Sequence, residues 1–332
     1  MSDADDELLR RSYEHMHFAR TLDNGLVTWQ RQGLVPAYPP ARGQEAAQVG
    51  SALALDRSKD FVFPTYREVG VAVAWGVDLV GYLGSHLGLW HGGLWDAARD
   101  RFAPLQAVVG AGPLHAVGWA LGQKLDGLDG VALSYFGDGA SSQGDVHEAM
   151  NFASVLGAPV VFFVQNNRWA LSIPLARQVG GESVAARAAG YGMTGTAVDG
   201  DDPIAVYRAT HDAVELARST GRPSLVEAMT YRRGPHATSD DPGRYRSLED
   251  ERAAGLDPLD RLEGILRVGA LADDAWFAAL VEAEAPRLEA LRATLVEPAP
   301  MPGDQMFEHV FQTPTPQITR QRAQWREESE HA

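Results

Sequence analysis

The fold of this chain is decided by the stretch VALSYFGDGA at residues 131–140, together with the segment from Asp145 to Gln165. Val131 to Phe136 is a short, mostly apolar run that predicts a buried strand, and Gly137-Asp138-Gly139 predicts the turn that leaves it. Asp145 to Leu156 repeats apolar residues on one helical face, and Pro159 to Gln165 is a second strand-like run. Strand, helix and strand in this order predict a parallel sheet with helices packed on its faces.

Polar side chains stand where both predicted strands end. Asp138 follows the first strand and Asn167 the second, and their separation of 167 − 138 = 29 residues suits one strand–helix–strand crossover. Both side chains are therefore expected at the edge of the sheet where α/β proteins bind ligands. The glycines of the turn let a ligand approach the backbone closely, and the next helix begins with unpaired N–H groups that attract anions.

A carboxylate, an amide oxygen and a backbone carbonyl at one site suit Mg²⁺, which prefers oxygen ligands and completes its shell with phosphate and water. Taken singly, a Gly-Asp-Gly turn is more often only a tight turn, and Asn166-Asn167 only a strand cap. Together, at crossover spacing and behind strong strand patterns, the two pieces favour a site for a metal ion and a diphosphate.

The pairing resembles the thiamine diphosphate fingerprint, in which GDG is followed at this spacing by Asn-Asn. The segment Gly144 to Ala153 is similar to the alpha subunit of the decarboxylating component of 2-oxo acid dehydrogenase complexes, a family that includes branched-chain 2-oxo acid and pyruvate enzymes. The resemblance extends from Gln30 to about Gln317 and includes Gly43 to Ala46, Tyr66 to Glu68 and Tyr231 to His236. It implies an α/β thiamine diphosphate-binding fold, a parallel sheet flanked by helices with helical N- and C-terminal extensions.

The resemblance assigns roles to residues at this edge of the sheet. Asp138 and Asn167 match the two side chains that ligate Mg²⁺, and Trp169 matches the residue that ligates it through a backbone carbonyl. Gly139 and Ala140 match the turn beneath the diphosphate of the cofactor. The cofactors that the resemblance implies are therefore thiamine diphosphate and Mg²⁺.

Other parts of the chain match further cofactor contacts. Tyr66 and Arg67 match the pair that holds the diphosphate, for which a guanidinium fork is well suited, and the backbone of Val109 matches a contact to the aminopyrimidine ring. Arg232 and His236 match the basic pair on a mobile active-site loop, and His236 is the candidate for acid–base work because histidine titrates near neutrality. Taken alone, either arginine would indicate only a buried ion pair or a cap, and the histidine only a surface residue.

The chain departs from the family pattern at several positions. Residues 107–112 align with a loop that binds a monovalent ion in many relatives, but the polar side chains of that loop are absent. Gln165 stands where some relatives have an arginine near the phosphates. Ala237 replaces the regulatory serine of animal branched-chain enzymes, which predicts that this kinase switch is missing, and Ser247 matches a second such serine without a motif of its own.

The resemblance also implies partners. In this family a glutamate from the beta subunit lies beside the aminopyrimidine ring, so this chain is expected to supply half of an active site in an α₂β₂ heterotetramer. The implied activity is that of a 2-oxo acid dehydrogenase (acyl-transferring). It decarboxylates a small 2-oxo acid oxidatively and passes the acyl group to a lipoyl-bearing acyltransferase component.

Alternatives remain open for the substrate and for the activity. The loop from His236 to Arg246 resembles the branched-chain type in length, which favours branched-chain 2-oxo acids, with pyruvate as the alternative. A self-sufficient, transketolase-like enzyme would need a second cofactor-binding domain, for which 332 residues are too few. The remaining alternative is a degenerate, non-catalytic regulatory subunit, and the presence of Arg67, His236 and both metal-ligating side chains argues against it.

The composition excludes several other functions. Acidic residues outnumber basic ones by 44 to 29, and the formal charge of −15 disfavours nucleic acid and anionic membrane surfaces as partners. The absence of cysteine excludes disulfides and thiolate chemistry. Met1 to Arg11 is acidic and resembles no targeting signal, and no apolar run approaches the ~20 residues that span a bilayer. We therefore expect a cytoplasmic protein.

Helical parts are predicted on both sides of the cofactor-binding region. Asp3 to Arg31 carries apolar residues at mostly three- and four-residue steps and predicts a long helix within an N-terminal helical extension, residues 1–42. Residues 43–255 are the predicted thiamine diphosphate-binding domain, and residues 256–332 a C-terminal helical region with a Pro-rich tail. The apolar segment Met306 to Phe311 in this tail is expected to pack against the domain or a partner.

Overall fold

The computed structural model describes residues 3–88, 95–297, 303–308 and 310–330. The chain divides into two compact units, with the boundary between Leu295 and Val296. In the described residues the strands are β1 (Phe61–Phe63), β2 (Ala132–Gly137), β3 (Val160–Asn166), β4 (Trp169–Ala170), β5 (Ile173–Pro174), β6 (Thr194–Asp199) and β7 (Ser224–Met229). The α-helices are α1 (Asp3–Arg31), α2 (Glu45–Leu53), α3 (Val69–Trp75), α4 (Leu79–His86), α5 (Ala97–Asp100), α6 (Gly112–Leu125), α7 (Gly144–Leu156), α8 (Leu175–Gln178), α9 (Pro203–Thr220), α10 (Leu248–Arg252), α11 (Pro258–Val268), α12 (Asp274–Val296) and α13 (Pro316–Glu330). Segments of 3₁₀ helix span Ala140–Ser142, Ala185–Tyr191, Pro242–Arg244 and Gly303–Phe307.

Five strands form one parallel sheet in the order β1-β2-β3-β7-β6. The predicted crossover is present, because β2 and β3 are neighbours joined through α7, and Gly137 is paired with Gln165 where both strands end. Every residue of β3 is buried, since the strand lies between β2 and β7 with helices over both faces. This position explains why its sequence is apolar without alternation. The predicted α/β fold with a parallel sheet flanked by helices is confirmed.

Alternate residues of the central strands pack into two separate cores. On one face, Phe162 of β3 belongs to the same buried cluster as Met150 of α7. On the other face, the next residue, Phe163, belongs to the cluster that contains Val214 of α9. Each large apolar side chain buried in this way contributes about 1.5–3 kcal/mol, so both helices are held firmly against the sheet. The turns at the ends of β2 and β3 are thereby fixed relative to each other.

The long predicted helices are present, but several elements were not predicted, among them α6, β6 and α13. α1 has the predicted bounds, and α7 begins one residue before the predicted segment. β6 escaped prediction because it lies at the edge of the sheet, where its residues are mostly exposed and show no apolar alternation. α13 escaped prediction because its residues are polar on all sides, so that no apolar periodicity marks it.

The smaller unit is described by its own contacts. Asp304 accepts hydrogen bonds from Arg322 and Arg326 of α13, and the ring of Phe307 lies 6.1 Å from that of Trp325. Part of the predicted apolar segment, His309, lies outside the described residues, and the expectation that this segment packs on the domain or a partner stays a prediction. No described helix is long and apolar enough to cross a membrane.

Candidate functional site

A cavity of about 310 Å³ opens at the ends of β2 and β3, where the sequence predicts a site. Asn167 is not among the residues that line this cavity; it is buried next to Asp138, and its backbone N–H donates to Asp138 Oδ1 at 3.3 Å. The fold therefore brings together residues as distant in sequence as Tyr66 and His236. The other nine predicted site residues line the cavity: Tyr66, Arg67, Val109, Asp138, Gly139, Ala140, Trp169, Arg232 and His236.

Asp138 has one carboxylate oxygen without a partner. The residue is 1% exposed, and its Oδ1 accepts the N–H of Asn167, whereas its Oδ2 is buried without a hydrogen-bond partner. Burial raises the pKa of the Asp138 carboxyl group to about 6, so it is still mostly ionised at neutral pH. An ionised oxygen buried without a partner costs folding free energy, and a bound cation would remove that cost.

Asn167 and Trp169 add two further oxygens beside Asp138. Gln44 holds the Asn167 amide, since its Oε1 accepts from Asn167 Nδ2 at 3.1 Å, and this leaves Asn167 Oδ1 facing the N–H of Trp169 at 3.3 Å. The Trp169 carbonyl accepts a long hydrogen bond of 3.4 Å from Arg232 Nη1. A carboxylate, an amide oxygen and a carbonyl form a hard donor set that fits Mg²⁺. No group of three His, Cys, Asp or Glu side chains suited to a metal occurs among the described residues, and Mg²⁺ commonly completes its shell with phosphate and water.

The backbone that carries these oxygens adopts an unusual conformation. Arg168 has φ of 69° and Leu171 has φ of 58°, in the left-handed region that residues with side chains rarely adopt. Two hydrogen bonds hold the segment there: Asn166 Oδ1 accepts from the N–H of Arg168 at 3.1 Å, and the Leu171 carbonyl accepts from Arg232 Nη2 at 2.9 Å. Each such residue costs on the order of 1 kcal/mol. The turn directs Trp169 and Leu171 to the cavity wall.

Two buried guanidinium groups face the cavity. Arg67 donates from Nη1 to the carbonyl of Pro40 at 2.5 Å and from Nη2 to the carbonyl of His236 at 2.9 Å, and it lies 5.4 Å from the centre of the Tyr66 ring. Arg232 is 1% exposed and donates to backbone carbonyls. In the part of the chain that the structure describes, neither guanidinium forms an ion pair with a carboxylate. Two buried positive charges that form no ion pair favour an anionic ligand.

His236 lies between these two arginines. Its Nδ1 is 3.3 Å from Arg67 Nη2 and 3.2 Å from Arg232 Nη1. Because arginine can only donate, Nδ1 carries no proton and the neutral ring has its proton on Nε2. Burial and then the charges of Arg67 and Arg232 lower the pKa of His236 to about 4, below the neutral range expected for a free histidine. Burial, Arg67 and Arg246 likewise lower the pKa of Arg232 to about 10.

The loop after His236 is tied together by its own side chains. Asp240 Oδ2 accepts both the backbone N–H of His236 at 2.8 Å and the hydroxyl of Tyr245 at 2.5 Å. Arg246 is buried and donates to the carbonyl of Arg232 at 2.7 Å. These contacts explain how the loop presents His236 to the cavity. The prediction that the loop is mobile without cofactor stays a prediction.

Several cavity residues had no role assigned from the sequence, and Gln44, Glu68 and Gln165 are the ones with polar contacts inside the site. Gln44 holds Asn167, Glu68 comes directly after the Tyr66-Arg67 pair, and Gln165 lies near the end of β3. Gln44 and Glu68 belong to segments that carry the family resemblance, which was the signal that could have found them. Gln44 bonds to Asn167, and Glu68 and Gln165 bond to each other across 97 residues, so no local pattern indicates these contacts.

Gly139 offers a direct test of the close packing between the turn after β2 and β4. A Cβ at Gly139 would lie 2.8 Å from Ala170 Cβ, although its φ of −61° suits any residue. We therefore expect Gly139→Ala to push the Trp169–Ala170 strand away from Asp138, to weaken Mg²⁺-dependent cofactor binding at least ~10-fold and to lower the free energy of unfolding by about 1–3 kcal/mol. Isothermal titration with thiamine diphosphate and urea unfolding measure the two effects.

Gly118 provides the matched control for this substitution. It lies in α6 with open space where a Cβ would stand, so Gly118→Ala is expected to stabilise the helix by up to about 1 kcal/mol and to leave cofactor affinity unchanged. Equal cofactor affinity in the Gly139→Ala and Gly118→Ala variants would contradict the close approach at Gly139.

The chain matches the family model described as Dehydrogenase E1 component over residues 13–280, a range that contains all ten predicted site residues. It is 45% identical to the 3-methyl-2-oxobutanoate dehydrogenase subunit alpha of Mycobacterium tuberculosis, over 98% of this chain and 89% of the relative. It is 39% identical to the 2-oxoisovalerate dehydrogenase subunit alpha of Bacillus subtilis, over 79% of this chain and 83% of the relative. It is also 40% identical to the pyruvate dehydrogenase E1 component subunit alpha of Bacillus subtilis, over 80% of this chain and 72% of the relative.

Proposed function

This chain belongs to the dehydrogenase E1 component family, and we propose that it is the alpha subunit of a 2-oxo acid dehydrogenase that uses thiamine diphosphate and Mg²⁺. The proposed reaction is the oxidative decarboxylation of a branched-chain 2-oxo acid, with acyl transfer to lipoyl groups of the acyltransferase component. One observation carries the proposal: the unpartnered Asp138 Oδ2 shares a cavity with the unpaired guanidinium groups of Arg67 and Arg232. Mg²⁺ would meet the carboxylate of Asp138, and the diphosphate would meet the two guanidinium groups.

The cavity residues divide into a metal-binding and a diphosphate-binding set. Asp138, Asn167 and the Trp169 carbonyl would hold Mg²⁺, which fits their oxygen donors. Arg67 would pair with the diphosphate together with Tyr66, and the turn at Gly139 and Ala140 would lie beneath it; the Val109 backbone would contact the aminopyrimidine ring. Thiamine diphosphate, when bound, supplies the electron sink for the loss of CO₂ from a 2-oxo acid.

His236 is proposed to act on the substrate from the cavity wall. Its Nδ1 accepts hydrogen bonds from Arg67 and Arg232, so Nε2 carries the proton and is the donor available to a substrate oxygen. The two arginines thus fix both the orientation and the tautomer of the ring. A neutral donor of this kind stabilises negative charge that develops on a substrate oxygen.

A beta subunit is proposed as the source of the missing carboxylate. Of the described residues that line the cavity, the acidic ones are Asp138, assigned to the metal, and Glu68, whose oxygens accept hydrogen bonds within this chain. The cavity rim is apolar and exposed, with Val108 at 69%, Val109 at 46% and Leu171 at 50%. An exposed apolar rim supports a protein partner at this edge, in an α₂β₂ assembly.

The substrate proposal rests on the relatives. Two of them, at 45% and 39% identity, are named for branched-chain 2-oxo acids. Pyruvate is the second candidate, because a relative named for pyruvate is 40% identical. The non-catalytic alternative has less support, since Asp138 and Trp169, two of the proposed metal ligands, line one cavity with Arg67 and His236.

The function is tested by measuring CO₂ release from a panel of 2-oxo acids with the chain co-purified with its beta subunit. The assay contains thiamine diphosphate, Mg²⁺ and an artificial electron acceptor, and the chain alone is the control. We expect turnover by the pair only, fastest with 3-methyl-2-oxobutanoate or 4-methyl-2-oxopentanoate. The physical reason is that the chain alone lacks the carboxylate beside the aminopyrimidine.

Each other outcome changes a specific part of the proposal. Fastest turnover of pyruvate would keep the mechanism and change the substrate. Turnover by the chain alone would contradict the shared active site. No turnover of any 2-oxo acid by a pair that binds thiamine diphosphate would favour the non-catalytic subunit.

A further inference from the structure

We propose that Glu68, Gln165 and Gln48 form a buried positioning network that holds the Tyr66-Arg67 turn in the orientation needed to grip the cofactor diphosphate. This inference rests on the proposed function, which assigns the turn to the diphosphate. The three side chains are all buried, at 0%, 3% and 0% exposure respectively. They are positioning residues, because their hydrogen bonds are made to the turn and to one another.

Glu68 accepts hydrogen bonds from the backbone N–H groups of the Tyr66-Arg67 turn. Its Oε2 accepts from the backbone N–H of Thr65 at 2.6 Å, from the Thr65 hydroxyl at 2.6 Å and from the N–H of Arg67 at 3.2 Å. Its Oε1 accepts from Gln165 Nε2 at 2.5 Å. Four donors converge on two oxygens; burial raises the pKa of Glu68, and these hydrogen bonds oppose that shift by favouring the carboxylate form. The Glu68 carboxylate thereby fixes the N–H groups on one side of the turn.

Gln48 closes the turn from the other side. Its Nε2 donates to the carbonyl of Arg67 at 3.0 Å and to Gln165 Oε1 at 2.9 Å, while its Oε1 accepts the N–H of Gly70 at 2.8 Å. Gln165 therefore links Glu68 to Gln48, because its amide group donates to Glu68 and accepts from Gln48. The backbone on both sides of the Arg67 side chain is anchored to α2 and to the end of β3.

Gln165 stands where some relatives have an arginine, and the network indicates what this difference changes in the cavity. A glutamine contributes no charge to the cavity, so the positive charge left for the diphosphate comes from Arg67 and Arg232. The affinity for the diphosphate then depends more strongly on how well the Arg67 side chain is oriented. A bidentate guanidinium contact is lost when its geometry shifts by small distances.

Each hydrogen bond in this network has a defined donor and acceptor. The network can therefore be tested by exchanging the residues at positions 68 and 165. In Glu68→Gln, an amide N–H would face either Gln165 Nε2 or the N–H groups of the turn, and donors would then oppose each other. In Gln165→Glu, two carboxylates would meet where Gln165 and Glu68 are now 2.5 Å apart. In the double variant Glu68→Gln/Gln165→Glu, residue 68 still accepts from the turn and now donates to residue 165, which still accepts from Gln48. All directions are restored.

The experiment compares wild type, the two single variants and the double variant as complexes with the beta subunit. The dissociation constant for thiamine diphosphate is measured by isothermal titration with Mg²⁺, and kcat at saturating cofactor is measured in the same preparations. We expect each single variant to weaken cofactor binding about 10- to 100-fold, with kcat reduced no more than ~3-fold, and the double variant to return to within ~3-fold of wild type.

Two further variants separate positioning from general loss of stability. Thr65→Val removes one donor to Glu68 without changing side-chain shape, and we expect cofactor binding to weaken about 3-fold in a folded protein. Ser51→Ala removes a buried hydroxyl of α2 that bonds to Tyr135 outside the network, and we expect a lower melting temperature with unchanged cofactor affinity.

The outcomes distinguish this inference from the proposed function. If wild type binds thiamine diphosphate and the single variants bind it equally well, or if the double variant binds no better than the singles, the positioning network is overturned and the proposed function stands. If the wild-type complex does not bind thiamine diphosphate at all, both are overturned. A loss of affinity in Ser51→Ala equal to that in Thr65→Val would also overturn the network, because the effect would then track stability alone.

Discussion

Asp138→Asn is expected to abolish Mg²⁺-dependent binding of thiamine diphosphate and to reduce turnover by ~10³-fold or more. The substitution keeps the shape of the side chain and the acceptor for the Asn167 N–H, but removes the charge at the buried, unpartnered Oδ2. Mg²⁺ would lose the charged ligand among its proposed protein ligands, and the diphosphate would bind without the neutralising cation. Titration calorimetry with and without Mg²⁺ measures binding, and CO₂ release by the complex measures turnover.

The same substitution is expected to stabilise the cofactor-free protein. Burial raises the pKa of the Asp138 carboxyl group to about 6 from an ordinary value of 3.8, so its ionised form lowers the free energy of unfolding by about 3 kcal/mol near neutral pH. This cost is absent below about pH 4, where the group is protonated in both folded and unfolded protein, and nearly complete above about pH 6. The Asn amide leaves one N–H unpartnered, so a net gain of about 1–2 kcal/mol is expected near neutral pH, shrinking as the pH falls.

Asp201→Asn is the matched control for this pair of effects. Burial, then repulsion from Asp199, raises the pKa of the Asp201 carboxyl group to about 6 as well, but Asp201 is not among the residues that line the cavity. We expect Asp201→Asn to raise the free energy of unfolding near neutral pH and to leave cofactor binding unchanged. Urea unfolding monitored by tryptophan fluorescence gives the comparison. Retention of Mg²⁺-dependent binding by Asp138→Asn would contradict the metal assignment.

His236→Asn is expected to separate catalysis from cofactor binding. The Asn oxygen can accept from Arg67 and Arg232 in place of Nδ1, whereas nothing replaces the Nε2 proton. Turnover should therefore fall about 10²- to 10⁴-fold, while the dissociation constant for thiamine diphosphate changes no more than ~3-fold. Steady-state CO₂ release and titration calorimetry on the same complex measure the two quantities.

His236→Gln is the complementary variant. Its amide reaches toward the position of Nε2 but provides no acceptor at the position of Nδ1, so the two arginines lose their shared partner. We expect higher residual turnover than in His236→Asn and weaker cofactor binding. Because the pKa of His236 is lowered to about 4, the wild-type rate should show no inflection from this residue between about pH 5.5 and 8. Two results would contradict the proposed tautomer. One is higher turnover and weaker cofactor binding in His236→Asn than in His236→Gln, and the other is such an inflection in the wild-type rate that disappears on substitution of His236.

The sequence was sufficient for the elements whose signals are local. A buried parallel strand is apolar along its length, and a helix on the sheet has one apolar face, so β2, α7 and β3 could be located from residue patterns. Since the carboxyl ends of neighbouring parallel strands meet at one edge, the same patterns placed Asp138 and Asn167 together. β6 and α13 could not be found in this way, because exposed residues carry no periodic apolar signal.

For the site, the sequence by itself predicted ten residues, nine of which line the cavity, through the turn after β2, the end of β3 and the resemblance of the distant segments. Only the tertiary structure decided their chemical state. The unpartnered oxygen of Asp138, the two guanidinium groups that meet at His236 Nδ1, and the hydrogen bonds that Glu68 accepts from Gln165 and the turn depend on atoms from segments far apart in the chain. Burial, hydrogen-bond direction and pKa are set by all neighbours at once, and no single stretch of sequence contains those neighbours.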